Sequence, residues 1–230
     1  MKRSEINSII KEFEALLSRY SFALPPYLSF APDEWKTLGA EYDEIRDCEL
    51  GWDVTDYGLG DYNSVGLALI TLRNGKMDDG RYIKTYAEKI MMLREGQLSP
   101  NHFHIHKMED IINRGGGDVI FRLWQAADDD SLSESDVDVY RDGRHYKAPA
   151  GSDIILHPGE SLTLYPRCYH EFTVKVGTGS ALIGEVSKCN DDNTDNRFYE
   201  PIARFPSVVE DEAPYRLLCN EYPRVNCLTL

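Results

Sequence analysis

Basic residues are scarce in this 230-residue sequence: 25 Lys and Arg stand against 39 Asp and Glu, a net charge of −14 at neutral pH. A surface that acidic repels phosphate backbones and anionic lipid, which argues against nucleic-acid or membrane partners and favours a small neutral substrate. Long apolar runs are missing as well, and nothing approaches the roughly 18 residues of a membrane-spanning helix. The opening stretch, MKRSEINSIIKEFEALL, is interrupted by Glu5, Lys11, Glu12 and Glu14, so it lacks the uncharged core of a secretory signal. The cysteines (Cys48, Cys168, Cys189, Cys219 and Cys227) are odd in number, widely spaced and free of any CxxC pair. That excludes a disulfide frame or a cysteine-based zinc site and reads as reduced thiols in a cytoplasmic protein. Gly115-Gly116-Gly117 is followed by neither a helix start nor GK[ST], so it marks a tight strand corner and not a phosphate loop. No internal repeat and no long linker interrupts the chain. The acidic stretch 128–138 reads as a solvated loop, and the one at 189–197 lacks the spacing and closing glutamate of an EF-hand.

The length suits one domain, and 42% apolar with 11% aromatic residues supplies a core. Ile6, Ile9, Ile10, Phe13, Leu16, Leu17 and Tyr20 recur at helical spacing, with Ser4 as the expected cap and Pro25-Pro26 as the stop. A short second helix is expected over 32–38, with Trp35 facing inward. After Gly39 the texture changes to β-branched and aromatic runs bounded by turn signals: 65–76, 81–97, 118–126, 136–148, 152–166 and 170–186. The expected architecture is mainly β, an antiparallel sandwich or barrel. A helical extension occupies 1–40, the β core about 50–200, and a C-terminal segment 201–230.

Three of the six histidines lie in NHFHIHKMED. On an extended strand His102 and His104 project from one face, because side chains alternate with period two. Glu109 lies one turn beyond, near enough to return a carboxylate to the same point. His170, after the corner PRCYHEF, is the candidate for a fourth ligand; its rival His157 directly precedes Pro158-Gly159, which suggests a turn away. Mixed imidazole and carboxylate donors suit Mn²⁺, Fe²⁺, Co²⁺, Ni²⁺ or Zn²⁺. Gly96 and Gly116 frame the set as G-x5-HxH-x4-E-x6-G.

That frame resembles the first cupin motif, and Gly151, Pro158, Gly159, Pro166 and His170 resemble the second, although the corner Pro166-Arg167-Cys168-Tyr169-His170 lacks its usual glycine. The blocks NHFHIHKMEDIINRGGG, HPGESLTLYPRCYHEF and GEVSKCNDDNTDNRF are similar to the bacterial D-lyxose isomerase family, and the likeness covers most of the chain. The resemblance implies a jelly-roll cupin barrel, or double-stranded β-helix, with an N-terminal helical extension. It also implies a manganese-dependent enzyme that interconverts D-lyxose with D-xylulose and D-mannose with D-fructose, with His102, His104, Glu109 and His170 as metal ligands.

Such an isomerisation needs a base that moves a proton between neighbouring carbons and a group that manages charge on the oxygens. Glu185 fits the first need: it lies in SALIGEVS and would share a strand face with Ala181, Ile183 and Ser187, where a carboxylate is costly unless used. Lys107, between the ligands, fits the second. Asp192 and Arg197 are candidates for sugar hydroxyls, and His106, sharing the parity of His102 and His104, for support behind the ligands. Trp124 and Phe103 read as core. Two other readings use the same scaffold, an iron dioxygenase and a non-catalytic metal-bearing sugar binder; Glu185 argues against the latter. A wide apolar face on the N-terminal helix, and sheet edges through which cupins commonly pair, point to a homodimer.

Overall fold

The computed structural model describes residues 1–77, 79–189 and 191–224. Helix α1, Arg3–Arg19, buries Ile6, Ile9, Ile10, Phe13 and Leu17. Its start differs from expectation. Lys2 stands at the cap without a side-chain bond, and Ser4, one residue inside, donates its amide and hydroxyl to Asp211 at 2.9 and 2.7 Å. Its stop differs too: Ser21 turns into the left-handed region (φ 55°), well ahead of Pro25. The expected helix at 32–38 is reduced to a single 3-10 turn, Glu34–Lys36, with Trp35 buried, and a short helix α2, Asp43–Asp47, follows.

Among the described residues thirteen strands come next: β1 Gly51–Thr55, β2 Leu67–Arg73, β3 Tyr86–Leu93, β4 Leu98–His104, β5 Glu109–Gly116, β6 Val119–Gln125, β7 Val137–Arg141, β8 Arg144–Ala148, β9 Ile154–Leu156, β10 Ser161–Leu164, β11 Cys168–Val174, β12 Ala181–Lys188 and β13 Asn196–Phe198. Every pairing among them is antiparallel. They form an eight-stranded sheet, β1-β2-β3-β12-β5-β10-β7-β8, and a five-stranded sheet, β13-β4-β11-β6-β9. The fold is a cupin-type barrel. The runs at 136–148, 152–166 and 170–186 each break into two strands at a Gly turn, and β1, β5 and β13 lie outside the expected runs.

Inward residues of both sheets, among them Leu69, Met91, Ile111, Phe121, Leu162, Phe172 and Ile183, make the barrel core. On the outer face, Trp52, Val54, Ile70, Ile90 and Met92 pack against α1. Each such side chain contributes about 1.5–3 kcal/mol of gross burial. The apolar face of α1 is therefore covered by the chain's own sheet. That removes one ground for the expected homodimer and leaves the sheet edges as the other. Gly96 and Gly116 earn their places conformationally: φ is 74° and 93°, and a Cβ on Gly116 would sit 2.2 Å from the Ser180 carbonyl. Cys48, Cys168, Cys189 and Cys219 are free and buried, and Cys227 lies outside the described residues.

Candidate active site

Between the sheets lies a cavity of about 50 Å³. Three imidazoles form one end: His102 and His104 from β4 and His170 from β11, which is paired with His102 in register. Their ligating nitrogens lie within 4.8 Å of one another. Nδ1 of His102 is 2.8 Å from the Pro100 carbonyl, and Nδ1 of His170 is 3.1 Å from the Cys168 carbonyl. A nitrogen facing a carbonyl must carry the proton, so Nε2 of each ring keeps its lone pair for the centre. Burial, aided by the neighbouring imidazoles, holds His102 well below its ordinary pKa, and burial pushes His170 down to about 4. Both rings are neutral at pH 7, the form that binds metal.

Glu109 opens β5 and sets Oε1 3.3 Å from His104 Nε2 and 3.4 Å from His170 Nε2. Burial alone would raise its pKa, but the Lys107 ammonium, with His104 beside it, outweighs that and keeps it well below the usual carboxylate range. Three imidazoles and an ionised carboxylate thus converge, a donor set of the right chemistry for a divalent transition metal, and the three histidines, His104 and His170 buried and His102 half-buried, could hold one.

From Glu109 a line of alternating charges runs along the wall. Lys107, only 3% exposed, has Nζ 2.6 Å from Glu109 Oε2 and 3.0 Å from Glu185 Oε1. Burial works against its charge, yet Glu109, Glu185 and Asp192 together raise its pKa above the ordinary lysine value. Glu185 faces inward with Ala181, Ile183 and Ser187, all buried, as the alternation on β12 predicts. Directly across from it on β3 stands Lys89, whose Nζ is 3.6 Å from Glu185 and 2.9 Å from both oxygens of Asp192. Arg204 continues the line, 3.5 Å from Asp192 and 2.6 Å from Asp53. Lys89, Arg204 and, against the pull of burial, Lys107 hold Asp192 well below the usual carboxylate range as well. Lys89, Asp192 and Arg204 also line a second chamber of about 200 Å³, whose acids include Asp47, Glu49, Asp53 and Asp191.

Several expected residues stand elsewhere. Arg197 is exposed and pairs at 3.5 Å with Asp130; on β13 it is Asn196 and Phe198 that face the cavity, because alternation turns Arg197 to the opposite face beside Phe103. His106 is exposed, since β4 ends at His104 and the chain bends there, breaking the shared parity. The bend is held by the buried carboxylate of Asp195, which accepts the amides of His106 (2.8 Å) and Lys107 (3.1 Å). His157 is exposed and paired with Asp118 at 2.8 Å. Phe103 is buried and Trp124 packs beside it, as core residues. At the corner without its glycine, Arg167 itself adopts φ 64°. Its backbone amide bonds the His104 carbonyl at 2.9 Å, and its guanidinium bonds Ala127 O at 2.6 Å and pairs with Asp130 at 2.9 Å, anchoring a strained residue between β4 and β11.

The D-lyxose isomerase family model matches residues 1–222. The D-lyxose/D-mannose isomerase of Escherichia coli O157:H7 is 47% identical over 223 residues, covering 96% of this chain and 98% of the relative. That of Serratia proteamaculans is 47% identical over 225 residues, covering 97% and 99%. Among solved structures, the L-ribose isomerase of Acinetobacter sp. DL28 in complex with L-ribose superposes with a TM-score of 0.62 at 13% identity, covering 91% of this chain and 98% of that one, a likeness of fold.

Proposed function

The chain belongs to the D-lyxose isomerase family and is a sugar isomerase, and from that premise we propose that it interconverts D-lyxose with D-xylulose and D-mannose with D-fructose. His102, His104, Glu109 and His170 would hold one divalent metal, manganese by family resemblance. The observation that carries the reading is the junction of two features in one cavity: the convergent donor set, and the Lys107–Glu185 pair beside it at 3.0 Å. A metal bound there would polarise the sugar carbonyl and stabilise negative charge on its oxygens.

Glu185 removes the proton from C2 of the aldose. The electrons of that C–H bond become the C1–C2 double bond of an enediol, and the same carboxyl returns the proton to C1. The hydroxyl proton passes from O2 to O1, so no outside acid or base is consumed. Lys107, whose neighbouring carboxylates hold it as an ammonium, stabilises the charge passing between those oxygens. Lys89, Asp192 and Arg204 on the wall hydrogen-bond the remaining hydroxyls, and Asn196 and Phe198 line the same cavity.

Purified protein incubated with D-lyxose or D-mannose and MnCl₂ should yield the ketose, and in D₂O deuterium should enter at C1 to the extent that the Glu185 carboxyl exchanges its proton with solvent before returning it. No ketose with any of Mn²⁺, Co²⁺, Ni²⁺, Fe²⁺ or Zn²⁺ would refute the proposal.

A further inference from the structure

Glu185 has two carboxylate oxygens, and they are not equivalent. Oε1 accepts the Ser187 hydroxyl at 2.9 Å and the Lys107 ammonium at 3.0 Å, with the Lys89 ammonium 3.6 Å away. Oε2 takes no hydrogen bond among the described residues and stays open to the cavity that Glu185 lines. Ser187 is two residues on along β12, on the same face by alternation, and only 6% exposed. A buried serine hydroxyl has one proton to give, and here it goes to the carboxylate.

We infer that Ser187 is a positioning residue for proton transfer: with Lys107 it pins Oε1, so that Oε2 alone takes the proton from the sugar and gives it back. This rests on the isomerase reading above and adds to it the working atom and the group that orients it. An unpinned carboxylate turns about its last bond and presents either oxygen at a range of angles. Two donors on one oxygen fix the carboxylate plane, and with it the direction of the free lone pair. The carboxyl must hold a proton between removal from C2 and return to C1. A donor on Oε1 keeps the protonated oxygen facing the sugar throughout, because rotation would break both bonds. Misplacing a reacting group by about 1 Å costs on the order of 100-fold in rate, so loss of one of the two pins should be visible in turnover.

The test is the kinetics of wild type, Ser187→Ala and Ser187→Thr with D-lyxose and with D-mannose, alongside metal content and thermal melting. Expected for Ser187→Ala is a fall in kcat of about 10- to 100-fold, with KM within about twofold and metal content unchanged. Ser187→Thr, which keeps the hydroxyl on the same carbon, should recover kcat to within about threefold of wild type. Three outcomes would overturn the inference: unchanged kcat in Ser187→Ala, a rise in KM at constant kcat (the hydroxyl then touches sugar), or equal losses in both variants. The wild-type assay separates the two claims. Ketose from wild type with an unaffected Ser187→Ala sinks only the role of Ser187, and no ketose from wild type sinks the isomerase reading itself.

Discussion

Replacing Lys107 by methionine keeps the stem of the side chain and deletes one buried positive charge. The ammonium is 2.6 Å from Glu109 Oε2 and 3.0 Å from Glu185 Oε1, and the residue is 3% exposed, so solvent cannot substitute for it. Glu185 retains Lys89 at 3.6 Å, whereas Glu109 loses its ammonium partner and keeps the neutral His170 ring at 3.4 Å and His104 at 3.3 Å. Removing one partner of a buried pair costs about 3–5 kcal/mol, because the other charge stays uncompensated. At about 2–4 °C per kcal/mol for a chain this long, the metal-free variant should melt roughly 6–20 °C below wild type. A divalent cation on the imidazoles and Glu109 would supply the missing counter-charge, so saturating Mn²⁺ should narrow that gap. Turnover should not recover with it, and kcat is expected to stay at least about 100-fold down for want of charge stabilisation at the reacting oxygens. Scanning calorimetry in EDTA and in MnCl₂, with a ketose assay on the same samples, measures both. A gap that is equal with and without metal would show that Glu109 does not face the cation. A gap under about 2 °C in EDTA would refute the buried ion pair itself.

Wild-type protein should itself be stabilised by metal: at a hundredfold excess over Kd a ligand adds about 2.7 kcal/mol, and a melting temperature indifferent to Mn²⁺ would contradict the donor set. Asp192 has a folded pKa depressed below the unfolded value of about 3.9, so its ion pairs contribute full stability above about pH 4 and lose it as pH falls through the folded value. Asp192→Asn should therefore be less stable than wild type in urea at pH 7, with the gap closing toward pH 2; a gap that widens on acidification would reverse the sign. The acids around the second chamber, Glu49, Asp53, Asp191 and Asp192, should make D-mannose 6-phosphate a poorer substrate than D-mannose by at least about tenfold in kcat/KM, and equal values would remove electrostatics from the specificity.

Local pattern carried the sequence reading wherever the site is made of local pattern. His102 and His104 follow from period two, Glu109 from one turn of chain, and Glu185 from a lone charge in an apolar strand. The same logic, applied to AEKIMML, would have found Lys89, which sits opposite Glu185 in register. Arg197 failed by a single residue, since only the register of β13 against β4 decides which of Asn196, Arg197 and Phe198 face inward. His106 failed for a related reason, because Asp195 ends the strand by capping the bend, and nothing adjacent to NHFHIH announces that. Arg204 had no signal at all. It lies beyond the last strand and reaches the cavity through ion pairs with Asp53 and Asp192, contacts 151 and 12 residues away that only the closed barrel creates. The start of α1 is similar, since its acceptor, Asp211, comes from the far end of the chain.

A buried line of charges is not the most stable filling for a barrel, and apolar residues of like volume are often worth more. The line from Asp53 through Arg204, Asp192, Lys89, Glu185 and Lys107 to Glu109 is therefore better explained by what it does than by what it stabilises. Its charges alternate, so each ammonium or guanidinium lies between carboxylates and none is left bare. Both ends are carboxylates, which leaves a single negative charge in excess, and that excess ends at Glu109, beside the neutral rings of His102 and His170. A dication placed there would turn the balance to a single positive charge, confined to the end where, on the proposed function, negative charge develops on the sugar oxygens. The rest of the wall stays neutral in sum while presenting many donors and acceptors, which suits a polyhydroxy substrate without charge of its own. On the proposed function, the barrel keeps its electrostatic asymmetry at the reacting carbons and its hydrogen-bonding capacity along the remainder of the chain of hydroxyls.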